Sequence, residues 1–363
     1  MSELSDEQRR CMLRQLSEAP GVPGYEGSVA DCLVQWLDGI AEPTYDGLGS
    51  VIFRREGSSA SPRIMLAGHM DEIGFMVRRV TDDGFIKFQT LGGWWDQVLL
   101  GQRVVVKTRE GDLPGVIGSK PPHILPPDER KKLVKTEDMF IDVGAADREA
   151  AEEKLGIRIG DPIIPYSPFT EMGDPDFLMG KAWDDRIGCA LFADLLLRLA
   201  DDEHPNTVYG VGTVQEEVGL RGAGTSVEMV RPDVGIALEV SIAGDVPGVS
   251  DQESTDELGS GPSLLFYDAS MIPNLKLRDL VIDVAEDNGI PLQSSVMARG
   301  GTDAGKMHTH GSGVPGVVLG VPTRYIHAHA GILSVSDYLK TLDLLTALIR
   351  VLDEDTVQSL RRH

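Results

Sequence analysis

Apolar and polar positions along the chain mark out a long series of elements. Ser5 followed three residues later by Gln8 has the spacing of a capping box, so the pattern predicts a helix through about Glu18, stopped by Pro20-Gly21. A second helix is expected over Val29 to Leu37. Apolar or alternating runs follow at Ser50 to Arg54 and Arg63 to Ala67, the second ending in Gly68-His69-Met70-Asp71-Glu72. A strand there would deliver a histidine and two acids at its end.

From about Gly74 to Tyr166 the pattern changes to short β-like runs: Phe75 to Val80, Phe85 to Thr90, Arg103 to Lys107, Leu113 to Ile117 and Met139 to Val143. Asp83-Gly84 and Glu110-Gly111 are hairpin-turn signals, and one helix-like interval, Asp147 to Leu155, interrupts the series. Beyond it, helical and extended intervals alternate. Helices are expected over Arg186 to Ala200, over Asn274 to Asn288 and from about Ser336; strands over Thr207 to Val214, Val234 to Val240 and Val317 to Val321. Such alternation implies an α/β sheet covered by helices, formed by residues 1–73 and 167–363, into which a β-rich domain, 74–166, is inserted.

Composition narrows the function. A chain of 363 residues exceeds the usual size of one domain, and 41% hydrophobic residues assure a sizeable core. With 34 Lys and Arg against 57 Asp and Glu, the net charge of −23 repels phosphate backbones and anionic lipid, so nucleic-acid and membrane partners are not expected. Cys11, Cys32 and Cys189 form no Cys-x-x-Cys spacing, which fits a reducing compartment. The polar stretch Met1 to Gln15 has no apolar leader, and no run approaches the ~18 apolar residues of a membrane span; a cytoplasmic location is expected.

Hydrolysis of an unactivated amide without a covalent nucleophile is commonly done by metal-bound water, which needs convergent histidines and carboxylates. Candidates stand at His69-x-Asp71, Asp184-Asp185-Arg186, Glu216-Glu217, Glu239 and Tyr325-Ile326-His327. Taken singly, each is unspecific: a paired acid is usually a solvated surface and a lone histidine usually structural. Their context sharpens them, because Ile64 to Gly68, Val211 to Gln215 and Gly235 to Leu238 read as buried strands, and open α/β sheets bind ligands beyond the carboxyl ends of strands. Gly300 to Lys306 approaches a P-loop, but Met307 replaces the hydroxyl that would hold Mg²⁺, so nucleotide binding is not expected.

Five segments in order, Ala67 to Gly74, Gly180 to Arg186, Val214 to Gly219, Arg299 to Ala304 and Pro322 to His327, give nearly the whole chain a resemblance to a known family. The chain resembles the tetrahedral (TET) aminopeptidases, metallopeptidases also described as glutamyl or deblocking aminopeptidases or as endoglucanase-like. The resemblance implies a mostly parallel α/β catalytic core with an inserted small β-barrel-like domain that acts in dimerisation, and self-association into dimers and tetrahedral dodecamers acting on short peptides. It implies two divalent metal ions, Zn²⁺ or Co²⁺ and possibly Mn²⁺, one held by His69, Asp184 and Glu239, the other by Asp184, Glu217 and His327. Many members carry Asp where this chain has Glu239. Glu216 would be the general base and Asp71 the residue that orients His69; Gly301, Thr302 and Asp303 would lie near the substrate, and His123 in Lys120-Pro121-Pro122-His123 would either border the site or be a surface histidine in a Pro-rich turn. Asp185 and His329 are not expected as ligands. Competing readings are a metal-dependent deacylase of acylated amino acids, a metal-independent glycoside hydrolase, and a non-catalytic scaffold.

Overall fold

The computed structural model describes residues 3–250 and 252–361. Its first helix, Asp6–Glu18, begins as expected: the Gln8 N–H donates to the Ser5 hydroxyl and the Ser5 N–H to the Gln8 side chain. An eleven-stranded sheet forms the centre of the molecule among the described residues. At its heart four parallel strands lie in the order Thr207–Thr213, Arg63–His69, Val234–Ile242 and Gly316–Arg324. Both flanks are antiparallel, with Val51–Glu56 against Thr207–Thr213 and Gly331–Ser334 against Gly316–Arg324. The sheet is therefore mixed around a parallel core, and connection length explains why. The short link 325–330 can only return the chain antiparallel, whereas parallel neighbours require a long crossover.

Helices cover both faces. On one, Trp183–Arg198 is buried almost all round, and Ile187, Leu191, Phe192, Leu195 and Leu196 join the largest core together with residues of Asp6–Glu18, Leu275–Asp287 and Val335–Val351. Full burial of each such side chain stabilises by roughly 1.5–3 kcal/mol. The opposite face is closed by Arg221–Val230 and the short helix Ala304–Met307, whose Val227, Val230 and Met307 pack on Met65, Ala67, Val211 and Ala237. Arg221–Val230 contains two glycines and β-branched residues, so its intrinsic propensity is poor and packing sustains it.

Two glycines bring the long helix onto the strand ends. A Cβ at Gly68 would lie 2.5 Å from the Gly188 carbonyl carbon, and one at Gly188 would lie 2.4 Å from the Leu238 oxygen. That close approach sets the start of Trp183–Arg198 beside His69.

Between Gly74 and Pro165 six strands close a barrel, in the order Gly74–Val80, Ile86–Leu91, Phe140–Asp142, Gly111–Gly118, Arg103–Thr108 and Pro162–Pro165. It has its own core, with Phe75, Val77, Ile86, Val104, Ile117 and Ile163 fully or nearly fully buried. Gly84, at φ +81°, makes the turn between the first two strands, where positive φ favours glycine. The interval expected to be helical, Asp147 to Leu155, forms a π-helical turn, Ala150–Lys154.

Candidate metal centre

All four central strands run the same way, and their carboxyl ends gather the chain's acids and histidines. His69 ends Arg63–His69; Glu216 and Glu217 follow Thr207–Thr213; Glu239 lies in Val234–Ile242; His327 follows Gly316–Arg324. Asp184 and Asp185 open the long helix with non-helical backbone, so the regular helix starts near Arg186 as the sequence predicts. Four residues without glycine's freedom hold left-handed backbone at these corners: Ala182, Gln215, Tyr325 and His327. Conformations of that kind cost energy and cluster where a site dictates geometry.

Asp184 stands between the two histidines. Its Oδ1 is 3.1 Å from His69 Nε2 and its Oδ2 is 3.3 Å from His327 Nε2. Each imidazole is fixed from behind, His69 Nδ1 by the Asp71 carbonyl at 3.0 Å and His327 Nδ1 by the Gly93 carbonyl at 2.6 Å. A carbonyl only accepts, so each Nδ1 carries the proton and each Nε2 turns toward a carboxylate. In the neutral rings lone pairs then face anionic oxygens, an arrangement that a cation between them makes favourable. Glu217 Oε1 lies 3.6 Å from His327 Nε2, and Glu216 Oε2 and Glu239 Oε2 lie 3.8 and 4.0 Å from His69 Nε2.

The profile of the M42 glutamyl aminopeptidase family matches residues 49–344. A glutamyl aminopeptidase of Lactococcus lactis is 36% identical over 97% of this chain and 98% of its own length. The chain belongs to the M42 aminopeptidase family. The crystal structure of a TET aminopeptidase from Thaumarchaeota archaeon SCGC AB-539-E09 superposes with a TM-score of 0.95 at 50% identity, covering 98% of this chain and 99% of that one. The TET1 peptidase of Pyrococcus horikoshii, which can assemble into a tetrahedron or a large octahedral shell, matches with a TM-score of 0.86 at 30% identity, over 95% of this chain and 100% of that one. This M42 protein is thus a metal-dependent aminopeptidase, a hydrolase of peptide bonds in a family that uses divalent metal ions.

The M42 centre has the donors and the field that a cation requires. Asp184, Glu217 and His327 present donor atoms all within 4.8 Å of one another, the set expected for one ion. Around His69 the sets that converge within that distance are His69, Asp185 and Glu239, and His69, Glu216 and Glu217; Asp184 approaches His69 closely but does not join Glu239 in one such group. Asp185 has both oxygens engaged by backbone, accepting from His69 N–H at 2.9 Å and Gly188 N–H at 3.0 Å. It clamps strand to helix, a structural use that the sequence left unassigned.

Protons move toward the histidines and the glutamates. Burial works against the charged form of His69, but Glu216, Asp184 and Glu239 more than reverse it and hold the imidazole well above its usual value. His327 is likewise lowered by burial, yet Asp184 and Glu217 raise it to about 10. Burial, reinforced by Asp184, pushes Glu217 up to about 7; burial also raises Glu216, with Asp303 beside it, and Glu239, with Asp185 beside it. Asp184 goes the other way: the two histidines overcome its burial and keep it below the usual carboxylate range. The buried cations Lys181 and Arg186 pair with Glu72. Excess buried negative charge and mixed His and carboxylate donors suit divalent metal.

The remaining expected residues separate into two groups. Asp71 is fully buried, and its carboxylate oxygens accept the N–H groups of Glu216 and Glu217 at 2.9 and 3.0 Å, while its backbone carbonyl, nearer than its carboxylate, holds His69. Gly301 and Thr302 line the cleft, but Asp303 lies behind it, buried, accepting from the Thr213 hydroxyl. His123 is exposed on the loop Pro122–Ile124 of the barrel and does not line the cleft. His329 is buried against Trp94, whose ring centroid is 5.2 Å away. Gly93 was absent from the expected set although it anchors His327; the run Gly92-Gly93-Trp94-Trp95, bare backbone beside large aromatics, was its trace in the sequence.

Proposed function

We propose that this aminopeptidase binds two divalent ions, zinc or cobalt with manganese as an alternative, and removes residues one at a time from the N-termini of short peptides. His69, Asp184 and Glu239 would hold one ion, and Asp184, Glu217 and His327 the other. The observation that carries the reading is the position of Asp184, one oxygen toward each histidine Nε2 at 3.1 and 3.3 Å, which suits a carboxylate shared between two ions. Such ions supply Lewis-acid polarisation of the scissile carbonyl and a more acidic water.

Glu216 is the general base of this scheme. Its carboxylate faces His69, its backbone is tied by Asp71, and its raised proton affinity suits taking a proton from water and giving it to the departing amine. Asp71 is a positioning residue, since its carboxylate touches the Glu216 loop and not the cleft.

The barrel serves in dimerisation, and dimers assemble further into a dodecamer, as supported by apolar side chains exposed on it: Ile124, Leu133 and Ile159 are 66, 68 and 75% exposed. The three free cysteines accord with work in the cytoplasm.

The test is release of free amino acids from short peptides, unblocked and N-acetylated, before and after chelation and add-back of Zn²⁺, Co²⁺ or Mn²⁺. Stepwise release from free N-termini alone, lost to chelator and restored by metal, is expected. Activity confined to acylated substrates would transfer the site to a deacylase.

A further inference from the structure

The cleft that opens from the metal centre encloses about 580 Å³. Away from the metal ligands its wall carries hydroxyls, Ser241, Ser263 and Ser295, among the apolar Ile242, Leu265 and Val296. No lysine or arginine lines it among the described residues, and the carboxylate-bearing Glu253 does. Ser241 and Ser263 flank Gly320 on neighbouring strands, and a Cβ at Gly320 would stand 3.0 Å from that of Ser241, so the bare glycine leaves depth at this point.

Behind these two serines lies Asp256, wholly buried. Its carboxylate oxygens and the Ser241 hydroxyl fall outside strict hydrogen-bond geometry, and the donors standing beside the carboxylate are the Ser241 and Ser263 hydroxyls. Burial raises Asp256, and the adjoining Ser241 and Ser263 hydroxyls pull against that rise. A buried carboxylate answered by hydroxyls alone has no cation to balance its charge, and a cation in the adjoining cleft relieves that cost. A lysine ammonium brings three N–H donors and a guanidinium five, with no acceptor, the complement of this group of acceptors. An acidic side chain would meet Glu253 on the wall and the charge of Asp256 behind it, with no lysine or arginine among the described lining residues to answer it.

We infer that the cleft selects N-terminal residues with cationic side chains, and that the Asp256 carboxylate, presented through Ser241, is the group that selects them. The inference rests on the stepwise release proposed above and names its substrate class. Asp256 is a specificity residue acting through its neighbour, so it sets the ratio between substrates more than the rate of the chemical step.

Specificity constants of the metal-loaded, full-length enzyme on lysyl, arginyl, leucyl and glutamyl anilides, for wild type and Asp256→Asn, decide the matter. Lysyl and arginyl substrates are expected to exceed leucyl by roughly 10- to 100-fold, the worth of a charge-assisted contact, with glutamyl lowest. Asp256→Asn should lower the lysyl-to-leucyl ratio by about the same factor, mainly through KM. A wild type that prefers glutamyl substrates overturns the inference even if the variant fails to fold, and so does a variant that slows all four substrates equally. Absence of turnover on all four by the wild type would bring down the release reaction itself, and this inference with it.

Discussion

The two histidines of the centre are held in different ways. His69 is 1% exposed at the end of a central strand, with its backbone N–H clamped by Asp185 and its ring by the Asp71 carbonyl. His327 is 38% exposed on the link 325–330 and takes its ring contact from Gly93, which follows a barrel strand. The first side inherits the rigidity of one close-packed core, whereas the second requires two separately packed cores to agree. On the two-ion reading proposed above, the His327 side should therefore bind its ion more weakly and lose it first on chelation.

The severest way to break this contrast is to remove what the two sides share. Asp184→Asn should release both ions together and lower kcat/KM by roughly 10⁴-fold or more, since bound metal supplies several kcal/mol of charge stabilisation. Metal analysis that still finds two ions per chain would remove Asp184 as the bridge. Glu216→Gln separates chemistry from binding: kcat should fall roughly 10²- to 10⁴-fold with metal content intact. Turnover near wild type in that variant assigns the proton transfer elsewhere.

Gly92→Ala probes the support of the His327 side. Gly92 has φ +80°, and a Cβ there would meet Ile73 Cγ2 at 2.5 Å and the Glu217 carboxylate at 2.9 Å, next to the carbonyl that holds His327. Disturbing such supports typically costs roughly 10- to 100-fold in metal affinity. Calorimetric metal titration should show one site weakened and the other near its original affinity; equal weakening of both would erase the distinction.

The smallest effect concerns the buried ion pair of Lys181 and Glu72. Burial lowers the Lys181 ammonium to about 8 despite its ion pair with Glu72. Unfolded lysine titrates near ~10.4, so between about pH 8 and 10 the unfolded chain binds more protons and stability from this group rises with pH. As pH falls through 8 that contribution is gone. Unfolding free energies from urea titrations of wild type and Lys181→Met should differ in their change across this pH range by about 1–2 kcal/mol. Parallel slopes would place the titration in another group.

Much of the centre was legible because its residues sit where local signals converge. Gly68 to Glu72 closes a run of buried strand residues, and Glu216-Glu217 closes another, so charge at their ends had to have partners. The helix Arg221–Val230 was not legible, since its glycines argue against helix and only packing on Met65 and Val211 secures it. Nor were the short strands Phe177–Gly180 and Ser263–Leu265, which are too brief to show a period and exist through their neighbours in the sheet.

Sequence alone determined the α/β core, the change to a β-rich interval after Gly74 and the residue types of a metallopeptidase. Each of these is written in local periodicity or in motifs a few residues long. Only the tertiary structure decided that Asp184 divides its oxygens between two histidines, that Asp71 serves the Glu216 loop, that Gly93 reaches across to His327, and that Asp256 lies buried beside Ser241. Those relations join positions up to 234 residues apart. They depend on side-chain direction and burial, which no local pattern encodes.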